Sequence, residues 1–484
     1  MSITGALSNA LSGLTASARA AQVGASNLSN ALTPGYGRRQ LELAARGYGT
    51  TGGVSVIGVN RLVDPATIAD RRIAAADHAG ASAQSGFYEK LSVLLGEPGA
   101  ANALDHRFSA FEDALITAAS RPDLPERLTQ VAHAAQQLTD HFQMISGGIQ
   151  TQRETADTAV NQMVTQLNND LSQLSDLNGR IARTRNAPDD LLALQDARQQ
   201  LIDGISEIVP VRVIARDHGV VALYTTGGGI LIDGAAPELG FQTTPTIEPH
   251  MTYENDLLSG ITLNGKALNI TPGQGPLRGG ALAAQIAIRD DLALDAQAHL
   301  DGLAHELVAR FQDPALDSSL AATDAGLFTD TGARFDAADE IGLSGRITLN
   351  TFVSPTDSST VWRLRDGLGA IAAGPTGDAA LLQAMHNTMT TPQTAASPLF
   401  GSASSALNAL TGRVLTHFSS ARFASDNRQG FFAAQLSTLE AKEFAQGVDT
   451  DQELQQLLLV EQSYAANARM IETLDGLIQT LIRI

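Results

Sequence analysis

The chain has no cysteine, which rules out disulfides, thiolate catalysis and cysteine-ligated metal centres. Lysine is nearly missing too: Lys90, Lys266 and Lys442 are the only three among 32 basic residues, and no basic cluster forms around them. Against them stand 51 acidic residues, for a formal net charge of −19. Nucleic-acid affinity comes largely from Lys and Arg neutralising phosphates, and attraction to an anionic membrane surface needs the same charges. Neither a nucleic acid nor a membrane is therefore expected as a partner. Long hydrophobic runs are absent as well; none approaches the roughly 20 apolar residues of a membrane span. Residues 1–18 carry no Lys or Arg and are broken by Ser, Thr, Asn and Gly, so no cleavable secretory signal is expected. Aromatic residues make up only 5% of the chain, and its sole tryptophan, Trp362, reads most simply as a core residue. With 484 residues the chain is too long for one compact core, and roughly two to four domains are expected.

What is present is helical periodicity. In residues 448–484 an apolar line steps through Leu457, Val460, Tyr464, Asn467, Ile471, Leu474, Ile478 and Leu481, alternating three and four residues. That 3.5-residue period is the spacing of a seam that meets another helix. Asn467 is its one polar position, which costs stability but fixes register and partner. Thr450 and Glu453 have capping-box spacing, and Asp449 and Asp451 place negative charge at the positive end of the helix dipole. No Gly or Pro follows the seam, so the helix is expected to find a partner inside or outside the chain. The N-terminus offers a matching line: Leu7, Leu11, Leu14, Ala18, Ala21, Ala25 and Leu28. Arg19 is the only charged residue among the first 30, and the many small residues allow close backbone approach. Such a helix is marginal alone. It is either an ordinary helix of a globular core or, with its C-terminal counterpart, a subunit-assembly helix.

Between the ends, Pro34 disfavours helix at Thr33, and residues 40–59 alternate like a hairpin around Gly47-Tyr48-Gly49-Thr50-Thr51-Gly52. That hexad satisfies G-x-G-x-x-G, but a strand (Val54 to Ile57) follows where a nucleotide loop needs a helix. Helices are expected over 64–96 and 104–119. A long rod follows on Leu128, Val131, Ala135, Leu138, Phe142, Ile145 and Ile149, continuing through Val160, Met163, Leu167, Leu171, Leu174, Leu177 and Ile181, with a fray at Gly147-Gly148. Ala187-Pro188 interrupts it before a further helix over 189–206. His133 and His141 are expected on the solvated helix surface. From Ile208 the period becomes two, with strands around 209–214, 220–224 and 230–232, the Gly227-Gly228-Gly229 turn, and an Asn264-Gly265 hairpin. Helix returns over 279–311, where His299, His305 and Glu306 lack the H-E-x-x-H spacing of a zinc site. Short strands such as 347–349 mark residues 320–373. Helix is expected over 378–389, a small-residue linker over 392–405, and a helical return over 405–444. The acidic pairs Asp290-Asp291 and Asp339-Glu340 read as solvated surface. The fold class is multidomain and mainly α: paired coiled-coil-like terminal helices and a long helical rod, with β-rich portions inserted.

The stretch Ser26-Asn27-Leu28-Ser29-Asn30-Ala31-Leu32-Thr33-Pro34-Gly35-Tyr36-Gly37-Arg38-Arg39-Gln40 resembles the N-terminal signature of flagellar axial proteins, the rod, hook and hook-associated proteins. Glu461-Gln462-Ser463-Tyr464-Ala465-Ala466-Asn467-Ala468-Arg469-Met470-Ile471 resembles their C-terminal partner motif. Gly279-Gly280-Ala281-Leu282 with Arg289-Asp290 and Leu300-Asp301-Gly302-Leu303-Ala304 resembles a helix of the hook-associated branch. The resemblance spans most of the chain and is weakest over 320–424.

It implies a structural component of the bacterial flagellum, a junction or adaptor joining hook to filament and self-assembling through its terminal helices. Implied partners are further copies in an axial polymer or ring, the hook protein, a second junction protein on the filament side, and an export chaperone on the C-terminal helix. The implied location is extracellular, after type III export without signal cleavage. The assembly interface is expected at Leu7, Leu11, Leu14, Leu28, Pro34, Gly35, Tyr36, Leu457, Val460, Tyr464, Asn467, Ile471, Leu474, Ile478 and Leu481. Residues 1–60 with 445–484 are expected to form the terminal-helix axial domain, 61–207 with 279–312 and 405–444 the rod, and 208–278 and 320–400 the β-rich outer portions. No catalytic, cofactor-binding or metal-ligating residue and no cofactor is expected. The alternatives are a hook or rod protein of the same family, favoured less because hook proteins are expected to have β domains in place of the long coiled segments, or an unrelated enzyme with an inserted domain near 320–373.

Overall fold

The computed structural model describes residues 3–46, 52–97, 99–184, 188–271 and 273–483. Helix α1 (Ile3–Ser29) leads into an antiparallel hairpin of β1 (Arg38–Ala45) and β2 (Val54–Leu62). Apart from Gly52, the expected turn hexad lies outside the described residues, as do Ala187 and Ile484. Four helices follow: α2 (Pro65–Leu95), α3 (Leu104–Ser120), α4 (Pro125–Arg183) and α5 (Pro188–Ile208). The start of α2 is well specified, because the Asp64 carboxylate accepts from the Ala66 N–H at 3.0 Å and Pro65 occupies the first turn. Two small antiparallel sheets come next, β3 (Val211–Ala215), β4 (Val221–Thr225) and β5 (Ile230–Ile232), then β6 (Leu239–Gly240), β7 (Thr262–Leu263) and β8 (Lys266–Ala267).

Helix α6 (Gly280–Ala287) passes through a π-type turn at Ile288–Leu292 into α7 (Ala293–Phe311). Short elements follow: β9 (Phe328–Asp330), α8 (Leu343–Arg346), β10 (Ile347–Leu349), α9 (Arg363–Asp366), α10 (Ala380–Thr390), β11 (Gln393–Thr394) and β12 (Ser404–Ser405). Two long helices close the chain, α11 (Leu407–Ala445) and α12 (Thr450–Ile482). The architecture is multidomain and mainly α, with long helices and several small antiparallel sheets. No described helix is long and apolar enough to cross a membrane.

Helix α4 organises two hydrophobic cores in series. Its first half buries Leu128, Val131, Ala135, Leu138, Phe142, Ile145 and Ile149 against α3, α7, α10 and the segment around Phe328, Leu343 and Leu364. Its second half buries Val160, Val164, Leu167, Leu171 and Leu174 against Ile202 and Ile205 of α5 and the sheet of β3, β4 and β5. Between the cores the helix turns charged side chains inward. Arg153 and Asp157 are fully buried, and Arg289 of the π-type turn bonds Asp157 at 2.7 Å and Asp290 at 2.7 Å. Arg153 spans the same gap by donating to the carbonyls of Arg289 and Glu248 at 3.0 and 3.1 Å. Every charge here is paired or hydrogen-bonded, the condition under which buried ions are tolerated.

Several expectations are corrected. There is no fray at Gly147-Gly148: α4 is continuous, and a Cβ on Gly148 would stand 2.6 Å from the Leu94 side chain, so the glycine admits α2 rather than ending a helix. The seam residue near the end of α4 is Asn178 rather than Leu177. Its amide pairs with the backbone of Val221, donating at 2.8 Å and accepting at 3.2 Å. His141 is buried, and burial together with Arg107 lowers its pKa. Trp362 is only half-buried and lies beneath the Arg363 guanidinium, 5.0 Å from its ring centroid. Residues 392–405 are no free linker: Ser397 and Phe400 are buried, and the Ser397 N–H donates to Glu306 at 2.9 Å. Asp290 and Glu340 are engaged rather than solvated, by Arg289 and by His305 respectively.

Candidate assembly interface

The two ends of the chain lie side by side. A Cβ on Gly13 would stand 2.8 Å from the Asn467 amide, and one on Gly24 would stand 3.0 Å from Leu457 Cδ2. Advancing from Gly13 to Gly24 on α1 thus means retreating from Asn467 to Leu457 on α12, so the helices are antiparallel. Bare glycines at both crossings let the backbones approach closely. The buried line of α1 includes Ala10, Ser17, Gly24 and Asn27, each one residue before a member of the expected line. One residue is about 100° of helix rotation. Leu11 therefore points outward at 57% exposure, Ala18 and Ala25 are exposed, and Leu7, Leu14 and Leu28 flank the contact half-buried.

On α12 the expected seam faces inward over most of its length. Leu474 is buried, and Leu457, Val460, Asn467, Ile471 and Ile478 are half-buried, while Tyr464 and Leu481 are exposed. Asn467 donates to its own helix at Ser463 O, 2.9 Å away. Outside the seam α12 also carries exposed apolar side chains: Leu454, Leu458, Leu459, Met470 and Leu477. The sequence reading passed over these residues. The signal was the run Leu457-Leu458-Leu459, which cannot lie on a single seam.

The hairpin connection locks this pair in place. Asn27 donates to Arg39 O at 2.9 Å and accepts from the Arg39 N–H and the Tyr36 hydroxyl, each at 2.9 Å. Burial raises the Tyr36 phenol above its ordinary pKa. Gly35 has φ +74°, a left-handed conformation that glycine adopts without strain, and it packs on Gln200 of α5. Gln200 donates to the carbonyl of Pro34, whose ring is exposed. Asp196 of α5 accepts from the Gly37 N–H at 3.0 Å and from Arg61 at 2.7 Å.

Arg38 pairs with the buried carboxylate of Glu453 at 2.8 Å, tying the hairpin to α12. That contact overturns the expected capping box. The cap is Asp449, which accepts from the N–H groups of Asp451 and Gln452 at 3.0 and 3.1 Å, leaving Glu453 free for Arg38. Farther along, Asp203 of α5 holds Arg71 and Arg72 of α2, both at 2.6 Å, and Arg71 also binds Glu443 of α11.

Other polar groups fasten the fold. The Asp301 carboxylate accepts from Gly342 N–H, Ser344 N–H and the Ser344 hydroxyl at 2.7, 2.9 and 2.6 Å. His305 and Ser397 both bond Glu340, at 2.6 and 2.7 Å, which is a clasp rather than a nucleophile–base relay.

Comparison with known proteins adds an independent line. The model of the flagellar hook-associated protein FlgK helical domain matches residues 88–314. The model of the flagellar basal body rod FlgEFG protein C-terminal region matches residues 445–484. Flagellar hook-associated protein 1 of Escherichia coli (strain K12) is 26% identical over 278 residues, covering 54% of this chain and 50% of that protein. The protein of the same name from Bacillus subtilis (strain 168) is 27% identical over 248 residues, 47% of each. The chain therefore spans about half the length of the curated relatives it matches. Among solved structures, the flagellar hook junction protein FlgK from Burkholderia pseudomallei matches 54% of this chain and 46% of its own, at 22% identity and a TM-score of 0.45.

Proposed function

Because the chain belongs to the family of flagellar hook-associated proteins, we propose that it is a structural adaptor of the flagellum, joining hook to filament and assembling through α1 and α12. The observation that carries this reading is the exposure of leucines on α12. The helix is already paired with α1, yet Leu454, Leu458, Leu459 and Leu477 stay exposed in the lone protomer. Several exposed leucines along one helix are what an interaction surface would supply. Neighbouring copies in an axial ring or short polymer would cover them, with the hook protein on one side and a second junction protein on the other. On this reading residues 1–60 with 445–484 form the axial part, 61–207 with 279–312 and 405–444 the rod, and 208–278 with 320–400 the outer portions. The same exposed leucines give an export chaperone a reason to hold α12 before secretion.

Deleting the gene tests the proposal: hooks should persist without filaments, and filament protein should be shed into the medium. Normal filaments in the deletion strain would overturn it. Pull-down with the last forty residues tests the chaperone separately. A hook or rod protein of the same family is the second reading, supported by the rod-type match at 445–484. The helical-domain match at 88–314 favours the junction protein.

A further inference from the structure

Helices α7 and α11 bring a second group of side chains together. Asp295 and His299 stand one turn apart on α7, and His417 faces them from α11. One ligand atom from each lies within 4.8 Å of the other two. The Asp295 carboxylate already bridges the imidazoles, with Oδ1 3.3 Å from His299 Nδ1 and Oδ2 3.1 Å from His417 Nε2. The rings stack with centroids 4.5 Å apart and planes 15° from parallel, and Phe418 meets both edge-on. His299 and His417 line a cavity of about 700 Å³ that is open to solvent, so an ion and its waters can enter.

We infer that Asp295, His299 and His417 form a binding site for a divalent ion of the zinc and copper class, clamping α7 to α11. The donor set selects the class. Two imidazoles and one carboxylate suit zinc, copper and nickel, whereas magnesium and calcium prefer oxygen throughout. Three protein ligands leave a fourth position for water. The His299 ring is also oriented for this role: Nδ1 lies 2.9 Å from the backbone oxygen of Asp295. With the proton on Nδ1, that contact presents the Nε2 lone pair, the way metal-bound histidines are commonly held. Closing on an ion requires the three side chains to draw together, since zinc–nitrogen bonds are about 2.0–2.1 Å. Asp295 and His417 are both exposed, which gives their side chains room to rotate. H-E-x-x-H spacing could not reveal the site, because the pair on α7 is Asp295 and His299 and the second histidine lies on α11.

The location gives the ion a mechanical effect. Leu407, Leu410, Val414 and Phe418 anchor α11 in the core, and Ser425 is the last buried residue on the helix. Bound metal at His417 would fix α11 close to where it leaves that core on its way to α12.

The test uses the full chain, stripped with EDTA and titrated with zinc in a calorimeter. One equivalent should bind and protect backbone amides around His417 from exchange. His299→Ala and His417→Ala should each weaken binding at least about tenfold, while His133→Ala, at an exposed histidine elsewhere, should leave it unchanged. If His417→Ala disturbs the fold, His417→Gln keeps a polar group without a strong metal ligand and takes its place. Cobalt in place of zinc should give visible absorption bands that both variants lose. Absence of zinc and nickel binding in the wild type, equal binding by both variants, or displacement of zinc by magnesium would each overturn the site.

Discussion

Asn27 determines how the chain leaves α1, because its single amide satisfies both backbone groups of Arg39 and the Tyr36 hydroxyl. Removing it strands a part-buried donor and acceptor, for which about 1–3 kcal/mol each is the upper bound set by full burial. Asn27→Ala should therefore raise amide exchange at Arg39 and through β1 while leaving α4 protected. Unchanged exchange at Arg39 would show that the hairpin holds without it. Asp157 presents the charged case. Asp157→Ala leaves Arg289 with Asp290 as its remaining ion partner and the Ser259 carbonyl as acceptor, so the loss should stay below the roughly 3–5 kcal/mol of a fully uncompensated buried charge. Chemical denaturation of that variant should show the drop. The histidine cluster supplies a pH signature, measured in EDTA. Burial pulls the His299 imidazole down, but hydrogen bonds and charge from Asp295 outweigh it and hold its pKa above the ordinary value. Burial pulls the Asp295 carboxyl up, and the bonds from His299 and His417 outweigh that and lower it. The groups facing His299 are Asp295 on its own helix and His417 across from it, with Arg413 on the same cavity wall. The raised histidine stabilises the fold below pH 6.5, and that contribution fades as pH climbs through its folded pKa; the lowered aspartate contributes above pH 3.8. The stability deficit of His299→Ala should thus be larger at pH 6 than at pH 8. An equal deficit at both would disprove the coupling.

At the scale of elements, the glycine crossings of α1 and α12 invite substitution. Gly13→Val places side-chain atoms where the Asn467 amide lies, and overpacking of this kind costs about 1–3 kcal/mol. Exchange protection should fall along α12 and persist in α4; protection retained along α12 would show that the pair has room to shift. On the proposed function, Asn467→Leu is expected to leave the protomer folded and to disturb the register of assembly, read out as loss of filament attachment. How legible these elements were follows from their composition. The seam of α4 could be read nearly residue by residue, because Leu, Val, Ile and Phe fill it and the opposite face is polar. The seam of α12 was legible from the three-four spacing of Leu457, Val460, Asn467, Ile471, Leu474 and Ile478, although Tyr464 within it is exposed and its other faces are not polar. On α1 the leucines pointed to the wrong stripe. Periodicity ranks Leu11 above Ala10 or Gly24, whereas close backbone packing prefers the small residues, and a single sequence does not say how near the partner comes. The Glu453 contact was hidden likewise, since its partner Arg38 lies 415 residues away.

For the molecule as a whole, the two hydrophobic cores decide which parts can be removed. The buried members of the first run from Phe87 to Phe418, those of the second from Val160 to Ile286, and neither includes a residue of α1 or α12. Both cores share α4, and the ion cluster of Arg153, Asp157 and Arg289 joins them, so they should unfold as neighbours on one rod rather than as unrelated units. The terminal pair is attached chiefly by polar contacts, through Asp196, Gln200 and the Arg38–Glu453 bridge. Deleting residues 1–30 and 450–484 removes both helices and leaves every buried residue of the two cores in place. The truncated chain should therefore melt within a few degrees of the untruncated one and, on the proposed function, fail to assemble. A melting temperature lowered by tens of degrees would mean that the terminal helices belong to the stability of the cores, and α12 could not then be a surface held in reserve for other copies.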